Sequence, residues 1–221
     1  MKKQLLTILW TTCAILAIAS TASWYFLSAK PLKKVRHNNS AIRSGDIVFQ
    51  NVNSSQCRAI ELATGSPWTH VGIVFEDRGK LFVYEAVQPV RITRLDDWIE
   101  NGRNGQFVAK RIAGADTLLT PSVLAKMKTI GKSHIGKNYD PYFEWSDKNM
   151  YCSELVWKIY RQSLGMEIGK LKPLGSFNLE HPVVQAKLRE RYGDNLPLDE
   201  LMISPGDMFN SETLVTVSDT Q

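Results

Sequence analysis

The segment "WTHVGIVFEDRGKLFVYEAV" (residues 68–87) decides how the chain folds around its chemistry. Two β-rich runs, 68–75 and 80–87, flank "EDRG", the pattern of an antiparallel hairpin closed by a short glycine-containing turn. A turn centred between Asp77 and Arg78 sets His70 directly opposite Glu85. A turn made of the four residues Asp77–Lys80 instead makes Glu85 a diagonal neighbour of His70 on the same face. A three-residue loop, Asp77–Gly79, breaks this parity unless a bulge restores it. In either even register one face carries both side chains within reach of each other. A histidine inside such a run is either buried with a partner or functional, so the pair reads as a structural cross-strand hydrogen bond or as an oriented base.

Outward from the hairpin, "GDIVFQ" (45–50), "PVRIT" (89–93) and "GQFVAKRI" (105–112) read as further strands. "SSQCRAIELATG" (54–65) has serine caps and a closing glycine and predicts a short helix. "LDDWIENG" (95–102) is a second. Pro121 to Ile135 places Val123, Leu124, Met127 and Ile130 at helical spacing, and Ser153–Leu164 does so with Leu155, Val156, Ile159 and Tyr160. "HPVVQAKLRERYG" (181–193) predicts another helix, and the tail "LMISPGDMFNSETLVTV" a turn at Pro205-Gly206 with one or two short strands. The class is α+β, a mainly antiparallel sheet with helices beside it.

The net charge of +5 is concentrated at one end. Lys2, Lys3, Lys30, Lys33, Lys34 and Arg36 are six of the 27 basic residues, and no acidic residue precedes Asp46; the remaining 21 basic residues face 22 acidic ones. The body is electroneutral, which argues against nucleic-acid binding by a basic face. Residues 4–29 carry no charge, with Leu5–Leu16 strongly apolar and Trp24, Tyr25 and Phe26 following. Residues 1–29 therefore read as a signal peptide or, slightly favoured, a membrane anchor. Residues 30–42 read as a linker, and residues 43–221 as the functional domain. Basic residues flank the apolar segment on both sides, so charge gives no orientation. The expected location is the membrane or its extracytoplasmic (periplasmic) side.

Three cysteines are present. Cys13 lies in the apolar leader, without a lipoprotein cleavage box before it. Cys57 reads as a small core residue. Cys152, in "NMYCSELVWKIY" (149–160), opens a helix, where backbone N–H groups lower a thiol pKa and can face an oxyanion. Cysteine catalysis also needs a histidine and a group to orient it. Of the histidines, His37 lies in the linker, His134 late in a helix where a cation is favourable, and His181 at a helix start. His70 is left, with Glu85 as its partner. Histidines and cysteines are too scattered for a metal pattern, and no glycine-rich phosphate loop occurs, so neither a metal nor another cofactor is expected.

"SGDIVFQ", "SPWTHVGIVF", "VYEAV", "YDPYFEWSDKNMYCSELVW" and "ISPGDM" occur in the order seen in the YiiX/YebB-like group of circularly permuted, NlpC-type papain-like cysteine hydrolases. The chain resembles that family over roughly residues 43–209, with the histidine strand preceding the cysteine helix. The resemblance implies Cys152 as nucleophile, His70 as general base and acid, and Glu85 as the residue orienting the imidazole. It implies the Cys152 backbone N–H as one oxyanion donor, with Tyr139 or Tyr151 as a second or, equally, as packing residues. Glu154 of "CSE" reads as a first-turn acid favoured by the helix dipole. The implied activity is amide hydrolysis through a thioester on peptide or amino-acyl substrates, cell-wall fragments among them. Permuted relatives acting on lipid acyl chains usually carry a second histidine where this chain has Glu85. A lipid acyl hydrolase or acyltransferase, and a non-catalytic binding module, are the rival expectations.

Overall fold

The computed structural model describes residues 41–219. The apolar leader and nearly all of the linker lie outside the described residues. Among those residues no helix is long and apolar enough to cross a membrane.

The hairpin is built from β2 (His70–Asp77) and β3 (Lys80–Glu85), with Asp77 opposite Lys80. Arg78 and Gly79 form the two-residue connection, with φ of 50° and 73°. Two left-handed residues in succession make the turn whose twist matches that of paired strands, and glycine at the second position adopts it without a Cβ penalty. This is the register of the Asp77–Lys80 turn. The alternative centred on Asp77 and Arg78 is not adopted, since it would put the left-handed Gly79 inside a strand. Glu85 consequently aligns with Gly72, and His70 lies one diagonal step away.

β1 (Ile47–Gln50) pairs with β2 on one side and with β5 (Phe107–Ile112) on the other. β4 (Arg91–Arg94) closes one edge against β3, and β8 (Leu214–Asp219) the other against β5. The six strands run antiparallel in the order β4-β3-β2-β1-β5-β8. Alternation along β1 and β2 serves two cores. Ile47, Phe49, Val71, Ile73 and Phe75 join the larger one with the helices, while Val48, Val74 and Val83 pack with Trp98, Ile99 and Phe107 on the other side.

Helix α1 (Ser55–Thr64) is capped by the Ser54 hydroxyl at one end and left-handed Gly65 at the other. Short α2 (Leu95–Glu100) supplies Trp98 to the smaller core, and α3 (Ala115–Leu118) leads into α4 (Pro121–Ser133). α5 (Cys152–Leu164) is the central helix, and each of its residues from Cys152 to Tyr160 is buried. The stripe Leu155, Val156, Ile159 and Tyr160 thus understates its burial: Glu154 and Lys158 are inside too. A two-residue ladder joins β6 (Lys172–Pro173) to β7 (Leu201–Met202), with α6 (Pro182–Tyr192) between them in sequence. Pro205-Gly206 opens the short helix α7 (Pro205–Phe209) rather than a plain turn, because the Ser204 hydroxyl accepts the Asp207 N–H and caps it.

Candidate active site

The diagonal step from His70 to Glu85 is short enough for a direct bond. His70 Nε2 lies 2.7 Å from Glu85 Oε2. Gly72, aligned with Glu85, has no side chain to intrude; a Cβ there would meet Val83 Cγ1 at 2.3 Å. The other carboxylate oxygen is also occupied, accepting from Thr93 Oγ1 at 2.6 Å and Arg91 Nε at 3.1 Å. Both donors come from alternate positions of β4, so the edge strand holds the glutamate while the glutamate holds the histidine. Both residues are nearly inaccessible, His70 at 8% and Glu85 at 2%. The imidazole also stacks on Trp98, with ring centroids 6.0 Å apart.

Cys152, at 4% exposure, is the first residue of α5, and its thiol acts on the His70 ring so as to raise the imidazole pKa. Because Glu85 takes Nε2, the nitrogen left for the thiol is Nδ1. Burial pulls the His70 pKa down, but Cys152 and the bond to Glu85 outweigh it and hold the imidazole at about 10. Burial likewise pushes Glu85 up, and its bond to His70, with Thr93 and Arg91, brings it down to about 2. The pair is therefore imidazolium and carboxylate around neutral pH.

The first turn of α5 is clamped from several directions. Ser153 Oγ donates to Ile203 O at 2.7 Å, and Ile203 N donates to the Tyr151 hydroxyl at 3.2 Å. Glu154 is fully buried rather than a solvated first-turn acid. One of its oxygens accepts the Tyr151 N–H at 3.3 Å, and the other pairs with Lys158 Nζ at 2.7 Å. Burial raises its pKa to about 7 against the opposing pull of Lys158. Lys158 extends the clamp to Ser146 O at 2.6 Å and Asp147 Oδ1 at 2.9 Å.

Both tyrosine hydroxyls stand in the electrostatic field of Cys152, but they differ in how their oxygens are engaged. The Tyr139 loop is tied to the approach to α5 by Asp140 N to Met150 O and Met150 N to Asn138 O. Its phenol accepts a 2.6 Å bond from Gln56 Nε2 on α1. Tyr151 commits its oxygen to Ile203 and sets its ring edge-on to Phe143 at 5.2 Å. Cys57 is a free, half-buried thiol on α1, not a core residue; Ala59 takes the buried position of that helix. His181 accepts the Val183 N–H and caps α6. His134, at the end of α4, is buried, and burial lowers its pKa, so it is not the helix-end cation its position suggested.

Thr93 and Arg91 could be found from the sequence, since alternation in "RITR" puts both on one face. Gln56, Arg191 and Lys158 carry no such local signal. Nor does the apolar cleft beside Cys152, walled by α1, α6 and residues 202–205. Ile60, Ala63, Phe177, Val184 and Leu188 line it, with Lys187 and Arg191 among its few polar residues.

A protein from Escherichia coli strain K12, the uncharacterised protein YiiX, is 44% identical over 176 residues, covering 80% of this chain and 86% of the relative. A crystal structure of YiiX from Escherichia coli O157:H7, described as a metalloprotein, superposes with a TM-score of 0.77 at 44% identity, over 80% of this chain and 97% of that one. Among the described residues here, no group of three His, Cys, Asp or Glu side chains is arranged to hold a metal ion. The model of the permuted papain-like amidase family YaeF/YiiX, C92, matches residues 41–218. With nearly the whole described body covered, this chain belongs to the permuted papain-like amidase family C92.

Proposed function

We propose that this chain is a cysteine-dependent amide hydrolase with Cys152 as nucleophile, His70 as proton shuttle and Glu85 as the residue orienting the imidazole. The observation that carries this reading is the buried His70 ring, held by Glu85 at 2.7 Å and raised in pKa by Cys152 at the start of α5 as well as by Glu85. The thiolate attacks the substrate carbonyl, and the new C–S bond places a negative charge on the former carbonyl oxygen. The Cys152 N–H, at the start of α5 and without an intrahelical acceptor, is the donor that would face that charge. As the C–N bond breaks, His70 gives its proton to the departing amine. Water then attacks the thioester, His70 takes its proton, and the thiol leaves as the acid is released. The apolar leader would tether or export this activity, with amide-bearing peptide fragments on that side of the membrane as substrates.

Activity-based labelling tests the assignment. A cysteine-directed acylating probe is expected to label the full-length protein at Cys152 and to lose that label in Cys152→Ala. Equal labelling of the variant, or labelling at Cys57 alone, rejects it.

The cleft supports a second reading. A space lined by Ile60, Ala63, Phe177, Val184 and Leu188 beside the thiol suits an apolar acyl group better than a polar peptide. On this reading the scissile bond joins a lipid acyl chain to an amine or alcohol. A rate that climbs with acyl chain length favours it, and a flat profile favours peptide amides.

A further inference from the structure

Arg191, Gln56 and Tyr139 come from three separate parts of the chain and form one hydrogen-bonded line; Arg191 and Gln56 line the cleft that holds Cys152, and Tyr139 bridges Met150, two residues before it. Arg191 Nη2, near the end of α6, donates to Gln56 Oε1 at 2.8 Å. Gln56 Nε2, in the first turn of α1, donates to the Tyr139 hydroxyl at 2.6 Å. The tyrosine itself is pinned by its backbone N–H, which donates to Gln88 Oε1 at 2.6 Å.

The direction of this line follows from donor and acceptor capacity. A guanidinium has donors and no acceptor, so it accepts only the oxygen end of the Gln56 amide. The NH₂ end must then face Tyr139, and the phenol oxygen serves as acceptor in that contact. Its own proton is left over. Had the amide been reversed, the phenol would have donated to Gln56 and had nothing to offer the site. The Arg191 guanidinium also lies 5.0 Å over the Phe143 ring, and its charge polarises the Gln56 amide it holds. We propose that Gln56 and Arg191 are positioning residues that aim the Tyr139 hydroxyl proton at the carbonyl oxygen under attack by Cys152, supplying the second oxyanion donor. Burial and the neighbouring Cys152 charge keep this phenol protonated far above the ordinary tyrosine range, as a donor must be. The inference rests on Cys152 being the nucleophile.

The test compares two reactions of the same thiol in the full-length protein. Burst-phase acylation by p-nitrophenyl butyrate passes through an oxyanion, whereas alkylation by iodoacetamide does not. In Gln56→Glu the new carboxylate keeps Arg191 as partner but accepts the Tyr139 proton. Acylation is expected to fall about 100-fold, the typical cost of one oxyanion donor, with alkylation within about threefold of wild type. Gln56→Leu, which frees the hydroxyl without capturing it, is expected to lose less, and in a Tyr139→Phe background Gln56→Glu is expected to cost nothing further. Arg191→Lys is expected to retain more acylation than Arg191→Leu. Acylation by Gln56→Glu within threefold of wild type overturns the proposal, as does a parallel loss of both reactions, which is what a purely structural contact predicts. If Cys152→Ala keeps the burst, the nucleophile assignment fails and takes the relay with it. If that variant is silent while Gln56→Glu behaves as wild type, only the relay fails.

Discussion

Replacing Glu85 by glutamine keeps its shape and reverses the logic of its bonds. The carboxylate accepts on both oxygens, from His70 on one and from Thr93 and Arg91 on the other. An amide has one oxygen, and two fixed donors on β4 hold it there. Its NH₂ then faces His70 Nε2, which must become an acceptor, so the ring proton moves to Nδ1 and points at Cys152. The base is turned into a donor. The shift of Glu85 from 4.5 to about 2 corresponds to roughly 3 kcal/mol of preference for the charged state. The rise of His70 from 6.5 to about 10 is net of an opposing burial effect and includes Cys152, as the fall of Glu85 is net of burial and includes Thr93 and Arg91, so the two shifts agree only in the order of magnitude of the coupling. Losing it costs about two orders of magnitude in the imidazolium–thiolate population. The sign follows from His70 being raised: its proton is held up to about pH 10 in the wild type and is released at lower pH in Glu85→Gln. Iodoacetamide labelling of Cys152, followed by peptide mass spectrometry with Cys57 as internal reference, is therefore expected to be about 100-fold slower in the variant at pH 6 and nearly equal at pH 9. Superimposable pH profiles for wild type and variant would refute the coupling.

Two further outcomes follow from packing. Ala63→Trp is expected to fill the cleft and slow turnover of long-chain acyl esters at least tenfold while sparing acetyl esters; equal slowing of both removes the acyl-chain reading. Gly72→Ala is expected to destabilise the domain by about 1–3 kcal/mol, since its Cβ would meet Val83 at 2.3 Å inside a closed core. Urea unfolding measures this, and a midpoint unchanged from wild type contradicts the account of how β2 admits the diagonal pair.

The hairpin was legible because both its partners are local. Alternation and the "EDRG" turn place His70 and Glu85 on one face whichever even register is chosen, and only the left-handed Arg78-Gly79 pair selects between the two. The helix beginning at Cys152 was equally visible from its apolar spacing. The burial of Glu154 and Lys158 was not, because a charged pair at helical spacing looks the same whether it faces water or a loop packed over it. The loop at residues 145–147, which covers that pair, has no periodicity to announce it. The cleft and the Arg191–Gln56–Tyr139 line unite residues as far apart as 56 and 191, a juxtaposition no local pattern encodes. Pro205-Gly206 misled for a simpler reason: proline opens a helix as readily as it bends a turn, and the cap at Ser204 decides which.

The clamp on the first turn of α5 also sets an order of events during synthesis. His70 and Glu85 are 15 residues apart and can meet soon after they emerge, but the Ser153 and Tyr151 contacts both end on Ile203. The sheet gains its last strand, β8, only at residues 214–219. An unfinished chain held at the ribosome or in a translocation channel therefore carries Cys152 with only the local part of its clamp, the Glu154 and Lys158 contacts, in place. Maturation of the nucleophile is deferred until nearly the whole polypeptide has been released, which ties reactivity to completion of the chain.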